Sequence, residues 1–463
     1  MQTRVFEIYD SANKDIPAVC DLLKQGGVVA LPTETVYGLA ANAQNEDAVH
    51  KIFDAKGRPA DNPLIVHIAQ KEELLPLVKE VPTAAQKCID AFWPGPFTVI
   101  LPKTDAVPSI TSGGLDTVAV RMPSNPVINA VIKGCGFPLA APSANVSGKP
   151  SPTSARHVIE DMDGKIAGIV KSYDCAVGVE STVVSFLNDE VRLLRPGGIT
   201  LEMLQKIVPD IIVDEGVLHT VKKALSPGMK YKHYAPDCHV TLIEGTSGAF
   251  CDYVKKSGAF ALCLKEDEKH LNKKCISLGE KPETALFTAL RQLDELGIKK
   301  AVCHATDKHG TGLAVYNRML RACGFDIIKL PFVIGVTGPS GAGKTSLSLA
   351  AQKCGIKTVD CDLFAKDIVE GLKKPLCEAF GDDLYKNGNL DRKLLADRAF
   401  KNGENTEKLN KITLPHIVSA LKNEIQTTNE GFILLDGATL IESGAVGLCN
   451  RIVAVISPKD KRL

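Results

Sequence analysis

Apolar residues gather into short, nearly continuous runs. Val28-Val29-Ala30-Leu31, Leu64-Ile65-Val66-His67-Ile68, Phe97-Thr98-Val99-Ile100-Leu101, Val118-Ala119-Val120 and Thr182-Val183-Val184-Ser185-Phe186 have the character of strands buried on both faces. Amphipathic stretches at 46–53, 84–92 and 126–133 separate them and predict helices. A second series follows, with strands predicted at 239–243, 259–264, 301–304 and 326–330. Its clearest helix covers 282–296, with Leu286, Leu290 and Leu293 on one stripe. Pro282 and Glu283 suit that helix's start and Gly297 its stop. A third series opens at Pro331 with the strand Phe332-Val-Ile-Gly-Val-Thr337 and returns to a strand at Phe432-Ile-Leu-Leu-Asp436. Strand–helix alternation throughout predicts an α/β protein. Proline and polar residues cluster at 226–236 (SPGMKYKHYAP) and predict a connector. The expected domains are 1–235, 237–330 and 331–463, in line with the length of 463 residues.

Composition narrows the picture only modestly. Apolar residues make up 44% and charged residues 24%, as in ordinary globular proteins. A net charge of +1 provides no overall field for a nucleic acid or membrane. Fourteen cysteines are scattered without C-x-x-C pairs, which predicts reduced thiols in a cytoplasmic protein. The polar start MQTRVFEIYDSANKD has no apolar signal core, and no run is long enough to span a bilayer.

Two sets of residues carry candidate chemistry. Gly338-Pro-Ser-Gly-Ala-Gly343-Lys344-Thr345 is a complete G-x-x-x-x-G-K-T phosphate-binding loop between strand and helix. Its backbone N–H groups suit an anion, Lys344 suits β- and γ-phosphates, and the Thr345 hydroxyl suits Mg²⁺. The other set comprises three polar stretches in the first domain: Pro32-Thr-Glu-Thr-Val-Tyr-Gly38, Lys56-Gly-Arg-Pro-Ala-Asp-Asn-Pro63 and Ala141-Pro-Ser-Ala-Asn-Val-Ser-Gly148. Each falls at a predicted strand end or turn, where α/β folds place ligand groups. Lys56 and Arg58 suit a phosphate or carboxylate, but they also suit a solvated turn. Ser143, Asn145 and Ser147 offer short polar partners, and equally plain turn chemistry.

In order along the chain, PTETVYGL, KIFDAKGRPADNPLIVHI, WPGPFTVIL, AVRMPS, APSANVSGKPSPT, GVESTVV and LLRPGGIT resemble the YrdC-like threonylcarbamoyl-AMP synthases. The connector and the domain after it resemble the long, two-domain form of that family. The resemblance implies a YrdC-like twisted α/β domain followed by a small Rossmann-like α/β domain. It implies that L-threonine, bicarbonate and ATP give threonylcarbamoyl-AMP and pyrophosphate. The adenylate then passes to a threonylcarbamoyl-transferase protein acting on tRNA. By the same resemblance Lys56, Arg58, Ser143 and Asn145 are catalytic. Arg58, Asn62, Thr117, Ser143, Ser151 and Arg195 contact ATP, and Thr35, His67, Arg121, Ala141 and Ser181 contact threonine. A histidine inside LIVHI is otherwise an ordinary core residue. Tyr231 and Tyr234 are expected either to fold over the ATP as a lid or simply to pack the connector.

VTGPSGAGKTSLSLAAQKCGIKTVDCDLFAKDIV resembles dephospho-CoA kinase, implying a partial P-loop NTPase α/β domain. Gly341, Ala342, Gly343, Lys344, Thr345 and Ser346 would cradle ATP, with Asp362 as base toward dephospho-CoA. A related small-molecule kinase is the alternative for this domain. The family's lid helix and its arginine are not found before Leu463, so the expectation here is ATP binding with weak phosphoryl transfer. Two other classes remain open at this stage: an RNA-binding YrdC-like module fused to a small-molecule kinase, and a nucleotide sensor or scaffold in the last domain.

Overall fold

Opposite faces of the first sheet carry different cores, because successive side chains in a strand alternate. The structure, a computed structural model, describes residues 2–60, 62–219, 234–271, 274–386, 388–428 and 430–457. Eleven strands form the first sheet: β1 (Arg4–Glu7), β2 (Val29–Leu31), β3 (Gly38–Asn42), β4 (Ile65–His67), β5 (Phe97–Pro102), β6 (Thr117–Arg121), β7 (Leu139–Ala140), β8 (Gly168–Lys171), β9 (Thr182–Leu187), β10 (Glu190–Arg195) and β11 (Ile212–Val213). Their order is β1-β8-β2-β3-β7-β4-β6-β5-β9-β10-β11. Ala30, Leu39, Ala41 and Val66 face one core with helices Glu46–Lys56, Thr83–Phe92 and Ala155–Met162. Val29, Leu31 and Ala40 face the other, with helices Ile16–Lys24 and Pro126–Cys135.

The sheet is mixed. β4 and β6 run parallel with His67 opposite Arg121, whereas β7 runs antiparallel to both β3 and β4. The five strands expected in this region are all present. The helix expected over 46–53 runs on to Lys56, since Asn45 caps its start and Gly57 closes it at φ 62°.

The second sheet contains β12 (His239–Glu244), β13 (Phe260–Cys263), β14 (Cys275–Ser277), β15 (Lys300–His304) and β16 (Ile327–Lys329), ordered β14-β13-β15-β12-β16. β13 runs parallel to both β14 and β15. Leu286, Leu290 and Leu293 of helix Pro282–Glu295 are buried together in its core.

A third sheet begins with β17 (Phe332–Thr337) and β18 (Lys357–Asp360). After a small hairpin, β19 (Tyr385–Lys386) and β20 (Asn389–Leu390), it takes in β21 (Phe432–Asp436) and β22 (Arg451–Ala454). Its order is β18-β21-β17-β22, all parallel. The chain divides into two compact units. One is Met1–Leu242 with Ala259–Glu268 and Asn272–Ile327; the other is Ile243–Gly258 with Lys269–Leu271 and Ile328–Leu463.

Candidate active site

Gly57 shapes the K-x-R turn. Its left-handed backbone ends the helix, and the Arg58 N–H turns back to Phe53 O at 3.0 Å. Lys56 is thereby directed inward, where it is 2% exposed. Its ammonium donates to Ser143 O, to Asn145 O at 2.8 Å and to Asn145 Oδ1 at 3.5 Å. Burial, then the neighbouring Arg58, pushes the Lys56 pKa well below its ordinary value. The S-x-N loop is tied down from several other directions. Ala144 N–H donates to Tyr37 O at 2.8 Å and Ser147 N–H to Lys56 O at 2.9 Å. The Asn145 amide donates to Val146 O and Lys149 O, both at 2.8 Å. Lys56 and Asn145 therefore shape the loop, and neither lines the cleft beside it.

That cleft spans about 600 Å³, open solvent included. Nine of the expected residues line it: Thr35, Arg58, His67, Arg121, Ala141, Ser143, Ser181, Arg195 and Tyr234. The parallel register of β4 and β6 sets His67 beside Arg121. Burial first, and Arg121 second, pushes the His67 pKa down to about 3, so the ring is neutral. Its Nδ1 lies 3.1 Å from Ile65 O. A carbonyl only accepts, so Nδ1 carries the proton and Nε2 is left as an acceptor. Arg121 Nη1 donates to Thr35 Oγ1 at 2.8 Å and Nε to Gly95 O at 3.3 Å. Its Nη2 stands 2.7 Å from Glu34 Oε1, but at an angle that makes no hydrogen bond. Both buried Glu34 carboxylate oxygens are without a hydrogen-bond partner.

A second group of charges lies on the other wall. Arg195 donates to Ser181 O and Ser181 Oγ, each at 3.1 Å, and the Ser181 hydroxyl meets Thr98 Oγ1 at 2.8 Å. Burial lowers the Arg195 pKa from its ordinary value. The Ser151 hydroxyl, fully buried, donates to Glu180 Oε1 at 2.5 Å. Burial is the largest influence on Glu180 and pushes its carboxyl up, but Arg318, Arg195 and the Ser151 hydroxyl together outweigh it and hold the group ionised below its usual range. Tyr234 is 6% exposed, adopts φ 63°, and packs its ring 5.3 Å from that of Phe287. Asn62 is buried, and its Oδ1 accepts no hydrogen bond. Asn62, Thr117 and Ser151 do not line the cleft; Thr117 begins β6, whose other end carries Arg121. Tyr231 lies outside the described residues.

In the second unit, Gly338, Gly341 and Gly343 adopt φ 145°, 73° and 101°, and helix Lys344–Lys353 follows. Lys344 folds back onto Gly338 O at 2.9 Å and Pro339 O at 3.2 Å. Ala342 is buried, whereas Gly341, Gly343, Thr345 and Ser346 are exposed. Asp436, at the end of β21, accepts the Ser348 hydroxyl at 2.6 Å and pairs in register with Asp360. Asp362 is exposed in the first turn of helix Cys361–Glu370, with its N–H capped by Asp360.

Comparison with known proteins decides the family. A threonylcarbamoyl-AMP synthase of Pyrococcus abyssi is 45% identical over 322 residues, covering 66% of this chain and 94% of the relative. The chain belongs to the threonylcarbamoyl-AMP synthase family. A synthase of Bacillus subtilis is 43% identical over 338 residues, covering 70% of this chain and 98% of the relative. The Sua5/YciO/YrdC family model, described as telomere recombination, matches residues 21–197. The model of the threonylcarbamoyl-AMP synthase C-terminal domain matches 199–324, and the dephospho-CoA kinase model matches 332–463. The solved structure of P. abyssi Sua5 complexed with L-threonine has a TM-score of 0.66 at 42% identity, covering 71% of this chain and 99% of that one.

Within this synthase-family unit, sequence reasoning missed Glu34, Thr33 and Glu180. Thr33 and Glu180 line the cleft, and the Thr33 hydroxyl meets Thr35 Oγ1 at 2.8 Å. Glu34 and Thr33 stand inside the polar stretch that first drew notice. Glu180 had only its position before Ser181 as a signal.

Proposed function

We propose that this chain joins L-threonine, bicarbonate and ATP into threonylcarbamoyl-AMP and pyrophosphate. The observation that carries this is one cleft holding Arg121 and neutral His67 at adjacent strand ends together with Arg58 and Arg195. Arg121 takes the threonine carboxylate, whose planar oxygens match a guanidinium. The His67 Nε2 lone pair accepts from the amine or hydroxyl of threonine. The amine nitrogen gains a carboxyl group from bicarbonate, losing water, and the resulting carbamate oxygen attacks the α-phosphorus of ATP. Pyrophosphate leaves as the new O–P bond forms. Arg58 and Arg195 offset the charge of two anions brought together in a buried site. Lys56 contributes by holding the Ser143–Asn145 loop in shape. The adenylate is then consumed by a transferase protein that modifies tRNA.

The second unit is read as a dephospho-CoA kinase-type ATP site. Among the described residues no group of three or more His, Cys, Asp or Glu side chains is placed to hold a metal. The Mg²⁺ that such a site uses would be carried by ATP. Thr345 and Asp436 would hold it through the hydroxyl and carboxylate oxygens that suit a hard cation, and the ion would supply neutralisation of phosphate charge. Among the described residues no helix is long and apolar enough to cross a membrane.

The test is incubation with Mg²⁺-ATP, resolving pyrophosphate from ADP, with threonine, bicarbonate and dephospho-CoA omitted in turn. Pyrophosphate that requires both threonine and bicarbonate is expected. ADP without pyrophosphate refutes the synthase.

A further inference from the structure

Two arginines that the mechanism above does not use reach into the first domain from helices packed on the second sheet. Arg318, on helix Gly312–Ala322, is fully buried. Its Nε donates to Glu180 Oε2 at 2.8 Å and its Nη1 to Pro196 O at 2.7 Å and Asn317 Oδ1 at 2.9 Å. Arg291, on helix Pro282–Glu295, clasps both oxygens of Asp161 at 2.7 and 3.2 Å and donates to Pro150 O at 2.6 Å. Pro150 directly precedes Ser151, and Pro196 directly follows Arg195. Glu180, gripped by Arg318, in turn holds the Ser151 hydroxyl. The two arginines therefore fasten the chain at two of the residues assigned to ATP, Ser151 and Arg195.

A buried, ionised carboxylate needs a partner charge, and removing only that partner is strongly destabilising to its arrangement. Glu180 lies in the wall of a cleft meant for a triphosphate, which would repel it. Arg318 neutralises it and presents its free edge to Ser151 instead.

We propose that Arg318 is a positioning residue for the ATP subsite: it fixes the Glu180 carboxylate and, through it, Ser151, and it holds the Arg195–Pro196 turn. The second domain thus completes the ATP subsite of the first. The inference rests on the assignment of Ser151 and Arg195 to ATP made above.

The experiment follows pyrophosphate release by the full chain against ATP concentration, at saturating threonine and bicarbonate. Pyrophosphate is not a product of γ-phosphoryl transfer, so the P-loop unit does not contribute to the signal. Arg318→Met is expected to raise the KM for ATP by about 10- to 100-fold, the scale that loss of a residue behind a ligand has at metal sites, with a smaller change in kcat. Adding Glu180→Gln is expected to recover part of that loss, since a neutral amide oxygen accepts the Ser151 hydroxyl with no counter-charge. A folded Arg318→Met chain with an unchanged KM for ATP overturns the inference alone. If Arg318→Met does not fold, Arg318→Lys takes its place; it keeps the charge but lacks the planar fork, and an unchanged KM there overturns the inference too. Absence of threonine-dependent pyrophosphate from the unmutated chain overturns the synthase and this inference together.

Discussion

Replacing Lys56 by methionine removes one charge and its donors from the interior while nearly keeping the side-chain volume. In the structure that ammonium serves Ser143 O, Asn145 O and Asn145 Oδ1. A buried acceptor left without a donor costs about 1–3 kcal/mol, and two backbone carbonyls lose theirs, for a gross loss of roughly 2–6 kcal/mol. Part is returned, because burial beside Arg58 already disfavours the charged lysine and the variant carries no charge to desolvate. A net loss of about 2–3 kcal/mol follows. At about 1.5 °C per kcal/mol for a unit of this size, melting falls by roughly 3–5 °C. The loop also presents Ala141 and Ser143 to the cleft, so the KM values for threonine and ATP rise together. Melting curves with and without threonine, alongside pyrophosphate kinetics, read both effects. Unchanged melting with kcat abolished would refute the reasoning, because the ammonium would then act on the phosphates and not on the loop.

His67, with its pKa pushed down to about 3, stays neutral across the assay range, and the KM for threonine shows no inflection from it between about pH 5 and 8. The linked stability is fully present above the unfolded value near 6.5 and is lost as pH falls toward 3, because the unfolded chain binds the extra proton. Its ceiling is about 5 kcal/mol. His67→Asn is expected to flatten that acid-side decline in urea midpoints at about pH 7 and 4.5, and equal acid sensitivity in variant and parent counts against it. At Gly338, φ is 145° and an added Cβ would fall 2.2 Å from Val455 O. Gly338→Ala is expected to abolish the protection that ATP gives residues 332–463 against proteolysis; full protection would show that the loop tolerates a side chain there.

The central strands were legible because burial on both faces forces a nearly continuous apolar run, as in β2, β4 and β9. β7, with only two residues, and β11, both of whose residues are exposed, owe their existence to the strands beside them, and no local pattern announces such strands. β3 was hidden differently: Gly38, Leu39, Ala40, Ala41 and Asn42 contain no β-branched or aromatic residue, and have weak strand propensity of their own. In the cleft, residue types were legible but their division of labour was not. K-x-R reads as two cations toward a ligand, yet the left-handed Gly57 sends Arg58 to the cleft and leaves Lys56 tied to the loop. The Glu180–Arg318 pair joins residues 138 apart in sequence, and only tertiary packing brings them together.

The two nucleotide-directed sites reach anion binding by opposite physical routes, and that explains why one was so much easier to read. The P-loop offers backbone N–H groups, so its information lies in where glycine is required, and a short motif records it fully. There Lys344 rests on the loop's own carbonyls, partly exposed. The synthase cleft instead buries guanidinium groups and a carboxylate, and buried charge is costly unless other groups are brought in to pair with it. Those partners come from Thr35, Gly95, Ser151, Ser181 and Arg318 of helix Gly312–Ala322, and no single segment contains them. Conservative side-chain changes should therefore damage the cleft more than the P-loop, while glycine replacements do the reverse. Arg318→Lys and Gly338→Ala sit at the two ends of that contrast.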